Sequence, residues 1–241
     1  MHPKKIMPCT LRNKILRSIC TYLLLLSITF SASYQQQRFY SIDSPLSTND
    51  SLSYVEMAKG NYDVSPIHNK RFIIPSMARM VRPLLLPIHD KFVENVDNMN
   101  SKQKADSSYA FTFWIINSII ITGSGYLLYI WLKNLQFITT YAFIGAIFFT
   151  TSRASIYLSG TPMIDSLYLF AIALFCFSIT KKNPLIYIIS CILCAASKEN
   201  AVLIPFLPLI CGGSYRKSIH FYSALASITT FVAIRQYAST I

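Results

Sequence analysis

Acidic residues are scarce in this chain. Ten Asp and Glu stand against 22 Lys and Arg among 241 residues, and all charged residues together make up only 13% of the sequence. With 53% hydrophobic residues and a mean hydropathy of +0.41, the composition lies outside the usual range of a soluble domain, and the bilayer becomes the expected solvent. The formal charge of +12 would suggest nucleic acid if the basic residues formed one patch. They are scattered between apolar runs, and no zinc-finger spacing, glycine-rich phosphate loop or aromatic RNA-binding pattern accompanies them, so no nucleic-acid partner is expected. The six cysteines fall in the basic N-terminal segment (Cys9) or in and at the ends of apolar runs (Cys20, Cys176, Cys191, Cys194, Cys211). None lies in the longest polar segment, which excludes a disulfide framework as what orders it. Cys191 and Cys194 have the spacing of half a zinc site, but no second pair completes it, and small apolar packing is the expectation. His2, His68, His89 and His220 include no pair inside facing apolar runs, which argues against haem ligation.

Apolar runs are abundant. A spanning helix needs about 20 apolar residues, and seven runs qualify as candidates: 15–32, 109–132, 137–151, 162–180, 184–196, 201–211 and 219–234. The fifth and sixth are short and separated only by Ser197, Lys198, Glu199 and Asn200. Charge favours counting them as two. With a cytoplasmic N-terminus and every run spanning, the inner segments hold Lys4, Lys5, Arg12, Lys14, Arg17, Lys133, Lys181, Lys182, Arg216 and Lys217 and no carboxylate. Asp43, Asp50, Glu56, Asp63, Asp90, Glu94, Asp97 and Asp106 then lie in one outer loop, and Asp165 and Glu199 in the two other outer turns. This satisfies the positive-inside bias throughout, whereas fusing the short pair would put Arg216 and Lys217 outside.

The expected fold class is therefore all-α, a polytopic transmembrane bundle of about seven spans with a large, partly helical first extracytoplasmic loop. Residues 1–14 form a basic cytoplasmic N-terminus, 15–33 the first transmembrane helix or signal anchor, 34–108 the loop, and 109–241 six further spans. The basic start, the apolar stretch and Ser31, Ala32 and Ser33 also fit a cleavable signal peptide. Such a protein belongs in the plasma (inner) membrane of a prokaryote or the endoplasmic reticulum of a eukaryote. Asn49, Asp50 and Ser51 form an N-glycosylation acceptor pattern for a secretory membrane.

Within the loop, Asp50 or Ser51 is placed to cap a short helix over 52–59, with Gly60 to end it. A second helix is expected from Pro75 to about Arg82, with Met77, Met80 and Val81 on one face and Arg79 and Arg82 on another, like a helix lying in the membrane interface. The stretch 88–108 turns polar and is expected to be mobile.

Ionisable residues at membrane boundaries are costly and are functional candidates by default. On the outer side these are Asp50, then Arg153 and Asp165 flanking the link between spans three and four, then Lys198 and Glu199 in the tight turn between spans five and six. Carboxylates beside Lys and Arg at one membrane level can hold a divalent cation and an anionic lipid head group. Charges also sit in turns simply because turns are wet.

Three segments carry a family resemblance. Asp50-Ser-Leu-Ser-Tyr54-Val-Glu-Met-Ala58, followed by Arg71 and Pro75, resembles the first outer loop of the GT-C superfamily, integral-membrane glycosyltransferases that use polyprenyl-phosphate-linked sugars. Gly160-Thr-Pro-Met-Ile-Asp165-Ser is similar to their second outer loop, and Cys194-Ala-Ala-Ser-Lys198-Glu199-Asn-Ala-Val-Leu to their Lys-Glu turn; Asn117 is similarly placed in the second span. The resemblance covers roughly 43–211. It implies a seven-helix module in which Asp50 is a general base for an acceptor hydroxyl or a ligand of a divalent cation (Mg or Mn), and Asp165 assists or shares the metal. Asp43 is a rival for the first acidic role. Arg71, Arg153 and Lys198 would neutralise the donor phosphate, Glu199 would orient Lys198, and Tyr54 would line the substrate site. The implied partners are the lipid-linked donor, membrane lipids and, since family members carry further spans, a subunit supplying C-terminal helices or a longer chain of which this is the front module.

Three other classes remain. A rhomboid-like protease is suggested by Ser159 and His220, but the expected topology places them on opposite sides of roughly 30 Å of hydrocarbon. A small-solute or lipid transporter would place charges or broken helices near the midplane, where spans two, three, four and seven carry none. A non-catalytic scaffold or accessory subunit is the third.

Overall fold

A computed structural model of the chain describes residues 9–39, 49–65, 68, 70–92, 101–207 and 217–238. Among these the secondary structure is entirely helical. Helix α1 (Cys9–Phe39) is followed by α2 (Asn49–Lys59), α3 (Ile73–Phe92), α4 (Ser101–Asn134), α5 (Thr139–Thr150), α6 (Arg153–Gly160), α7 (Asp165–Lys181), α8 (Pro184–Ser197), a 3₁₀ helix (Glu199–Phe206) and α9 (Lys217–Ala238).

Among the described residues two helices, α1 and α4, are long and apolar enough to cross a membrane. At 1.5 Å per residue, the 31 residues of α1 and 34 of α4 reach about 46 and 51 Å. Only 11% of the apolar window of α1 is buried within the molecule, and Leu16, Ile19, Leu23 and Leu24 are exposed. The core helix of a soluble domain buries such residues, so this face needs another apolar medium.

The third, fourth and sixth runs give shorter helices than expected, while the fifth and seventh give α8 and α9 at or beyond their expected lengths. The third run yields the 12 residues of α5, and the separate helix α6 follows it. The sixth run is 3₁₀ over Glu199–Phe206 and contains Pro205, whose missing N–H disfavours an α-helix. At about 2 Å per residue this segment reaches roughly 16 Å, short of a span; the remainder of the run, beyond Leu207, lies outside the described residues.

Small and polar side chains join the helices. A Cβ on Gly125 of α4 would lie 2.5 Å from Thr150 Cγ2 of α5, and one on Gly160 of α6 would lie 2.5 Å from Gln36 Cβ of α1. Both glycines mark close helix approaches. Between α1 and α4, Trp114 Nε1 donates to Ser33 Oγ at 2.9 Å and Thr122 Oγ1 to Thr29 Oγ1 at 3.1 Å. Helices α8 and α9 run parallel, because Tyr187 meets His220 near both starts and Ser227 Oγ donates to the Cys191 carbonyl further along. Parallel neighbours require the chain between them to return the length of α8, about 20 Å for its 14 residues.

The expected loop is mostly structure. Helix α2 ends where glycine was expected to end it, with Gly60 at φ +98°, a conformation that favours glycine. Tyr54, Val55 and Ala58 of α2 pack with Ile74 and Ala78 of α3 against Tyr109, Phe113 and Ile116 of α4. Helix α3 is longer than 75–82 and runs through Pro83 and Pro87 to Phe92. Helix α4 begins at Ser101, eight residues before the expected Tyr109. Salt bridging of Lys59 to Asp106 and a 2.6 Å bond from Arg82 Nε to Ser108 Oγ tie its first turns to α2 and α3. The expectation of a mobile 88–108 is thus corrected at both ends, since 88–92 and 101–108 are helical; 93–100 lie outside the described residues.

Candidate functional site

Helix α2 places Asp50 in its first turn and buries Tyr54 one turn later. His68 Nε2 stands 3.0 Å from Asp50 Oδ1, and the His68 and Tyr54 rings meet edge to face at 5.3 Å. Arg71 then links three segments: its Nη1 donates to the Tyr54 hydroxyl at 3.3 Å, while Nη2 and Nε donate to Glu199 Oε2 at 2.7 and 3.2 Å. The neighbouring Lys198 turns to Asp165, with Nζ 2.9 Å from Oδ1, and lies 5.5 Å from the centre of the Tyr168 ring. Asp50, Tyr54, Arg71, Asp165, Lys198 and Glu199, separated by up to 149 positions, thus stand in one neighbourhood, and Asp50 and Asp165 both act electrostatically on the Tyr54 hydroxyl.

Asn117 builds the Asp165 side of this neighbourhood. Its fully buried amide donates to the carbonyls of Thr161 at 3.2 Å and Met163 at 2.9 Å, and its Oδ1 accepts from Ser166 Oγ at 2.6 Å. The turn that launches α7, with Asp165 at its first position, is thereby fixed to α4.

The electrostatics follow from the pairing. Burial pushes the Tyr54 hydroxyl up to about 12, against the lowering effect of Arg71, so it remains a neutral hydroxyl. Burial works against the charge on Arg71, but its hydrogen bonds to Glu199 and Tyr54 outweigh that and raise its pKa. For Glu199 burial is likewise outweighed, chiefly by the Arg71 hydrogen bonds, and its carboxyl is held below the ordinary value.

A small open cleft borders the network, lined by Lys70, Arg71, Ser197, Lys198, Glu199 and Arg235 among others. Lys70 and Arg235 were missed by the sequence reading. Arg235 follows the last apolar residue of its run and looked like an ordinary flanking charge; the contact of Tyr237 with Phe72, centroids 5.4 Å apart, brings that end of α9 to the loop helices. His68 was set aside as a haem ligand and has no motif of its own.

No known protein family, curated protein or solved structure matches this chain. The site has to be read from its own geometry.

Two sequence expectations are corrected there. Arg153 does not join the network: it is exposed at the start of α6, beside Gln36, Ile156 and Tyr157. The reason is local, since Ser152 Oγ accepts the Ser155 N–H at 3.2 Å and caps an extra helix where a simple link was expected. Glu199 does not orient Lys198; it takes Arg71, and Asp165 takes Lys198. Asp43 lies outside the described residues. Among the described residues no three His, Cys, Asp or Glu side chains stand close enough to hold a metal ion. A cation shared by Asp50 and Asp165 would have to displace His68 from the one and Lys198 from the other.

Proposed function

We propose that the chain is a glycosyltransferase-like membrane protein that transfers a sugar from a polyprenyl-phosphate-linked donor to an acceptor at the extracytoplasmic or lumenal face. The observation that carries this reading is that Asp50, paired with His68, is linked through Tyr54 and Arg71 to a cleft lined by Lys70, Arg71, Lys198 and Arg235. Arg71 and Lys198 are each matched by one carboxylate, leaving the cleft an excess of positive charge. That excess suits a phosphate that gains charge as it leaves. Asp50 is half-exposed and serves as general base, taking the proton of the acceptor hydroxyl as the glycosidic bond to the phosphate breaks. His68 holds that carboxylate in place, and Tyr54 spaces it from Arg71.

Seven spans with the N-terminus in the cytoplasm put this cleft on the outer side. The parallel course of α8 and α9 supports counting the fifth and sixth runs apart, because the start of α9 lies beside the start of α8 and not beside its end.

The test is chemical. The full chain in lipid nanodiscs, given polyprenyl-phosphate-linked sugars and candidate acceptors, should release free polyprenyl phosphate. No release with any donor, while the chain remains folded and monodisperse, would favour an accessory role instead.

A further inference from the structure

A second group of reactive side chains stands on α3 and α4, with no part in the proposed sugar transfer. His89 is buried, and both ring nitrogens are engaged: Nδ1 is 2.9 Å from Asp90 Oδ1 and Nε2 is 3.0 Å from Ser107 Oγ. The tautomer follows from the partners. The His89 hydrogen bond holds the Asp90 carboxyl below its ordinary range, so Asp90 is a carboxylate and only accepts. Nδ1 therefore carries the proton, and Nε2 is left to accept from the Ser107 hydroxyl. This is the order of contacts by which a histidine activates a serine.

The surroundings indicate a substrate class. Ile88 precedes His89, and Phe111 lies one turn after Ser107 and 5.6 Å from the His89 ring. Both line an almost wholly apolar groove between α1, α3 and α4, together with Phe30, Tyr34, Phe92 and Trp114. The groove is open and offers about 380 Å³, a volume suited to a small apolar ligand. Its side walls are α1 and α4, the two helices fit to cross a membrane, so it opens where lipid chains lie. Ser107 lies one turn before Phe111, toward the polar start of α4.

We propose that Ser107, His89 and Asp90 form a serine-nucleophile site for ester-linked membrane lipids, with the acyl chain held in the groove between α1, α3 and α4. Ser107 Oγ attacks the ester carbonyl carbon while His89 Nε2 takes its proton. The ester C–O bond then breaks, and His89 returns that proton to the departing alcohol. Water, activated by the same nitrogen, hydrolyses the acyl-serine to free fatty acid and regenerates Ser107. Asp90 is a positioning residue, fixing the imidazole. The Ser107 N–H lies within α4, so the oxyanion relies on Lys104, one turn earlier on the same face, with Nζ 3.6 Å from Asp90 Oδ2.

The full chain in detergent micelles should react with a long-chain alkyl fluorophosphonate, the adduct mapping to Ser107 by peptide mass spectrometry. Ser107→Ala should abolish it, and His89→Gln should slow it roughly a hundredfold or more. Asp90→Asn should lower kcat for p-nitrophenyl palmitate with KM near wild type, and Asp90→Glu should restore part of the loss. Melting curves in the same micelles identify any variant that fails to fold, and the wild-type mapping depends on no variant. No adduct at Ser107 in the folded wild-type chain, or labelling equally fast in folded His89→Gln, would overturn the proposal and leave these residues as a clamp between α3 and α4.

Discussion

Replacing Asn117 by Ala tests whether the Asp165 turn is built as described. The amide makes three hydrogen bonds in a fully buried position. Truncation removes one partner each from the Met163 carbonyl, the Ser166 hydroxyl and the Thr161 carbonyl, the last of which still accepts the Met163 N–H at 2.7 Å, and opens a small void. Polar contacts between helices in a bilayer average about 0.6 kcal/mol and reach about 1.7, so three of them give roughly 2 to 3 kcal/mol, allowing for the packing loss. The measurement is unfolding of the purified chain in mixed micelles under increasing denaturing detergent, wild type against Asn117→Ala. Asn117→Asp should be worse, because it keeps the acceptor for Ser166 but faces the Thr161 and Met163 carbonyls with a carboxylate. A loss below about 0.5 kcal/mol, the range of an ordinary surface change, would refute the role given to Asn117.

Four further outcomes follow from named contacts. Glu199 has a lowered pKa, so its pairing with Arg71 stabilises the fold above the ordinary glutamate value of 4.5 and is lost as pH falls through the lower folded value. The melting difference between wild type and Glu199→Gln should accordingly be present at pH 7 and vanish in acid; a difference independent of pH would contradict it. Gly125→Ala should destabilise by about 1 to 3 kcal/mol, since its Cβ meets the β-branched Thr150 side chain, and equal melting temperatures would show that the approach of α4 and α5 is looser. Arg235→Ala should weaken binding of polyprenyl monophosphate while leaving the melting temperature near wild type, and unchanged affinity would remove Arg235 from the cleft's function. Arg153→Ala should leave both donor binding and sugar transfer near wild-type levels, and a large loss in either would return Arg153 to the site.

Some of this was legible in the sequence, and physical reasons separate what was from what was not. Helical class and the long runs behind α1 and α4 follow from apolar content, and Gly60 announced the end of α2, although the helix starts at Asn49, so that Asp50 and Ser51 lie inside it and do not cap it. The gathering of Asp50, Asp165, Lys198 and Glu199 could be expected because charges at membrane edges are few and share a level. Side-chain pairing could not. Which carboxylate takes which cation depends on where Arg71 enters, and that is set by α2 and α3 packing on α4. The misplacement of Arg153 came from a helix cap at Ser152 inside a run that looked like a link. Arg235 was invisible because a cation after an apolar run is commonplace, and only the parallel return of α9 beside α8 gives it a partner site. The early start of α4 was hidden by its polar first turns, where Lys102 and Gln103 are exposed while Asp106 and Ser108 are buried by α2 and α3.

The most direct measurement is sugar transfer from a polyprenyl-phosphate-linked donor by the purified full chain, with wild type and Asp50→Asn assayed side by side. The account predicts transfer by the wild type and a fall of roughly a hundred- to ten-thousandfold in Asp50→Asn, the range of a lost general base, with donor binding retained. Equal rates in the two proteins would contradict it.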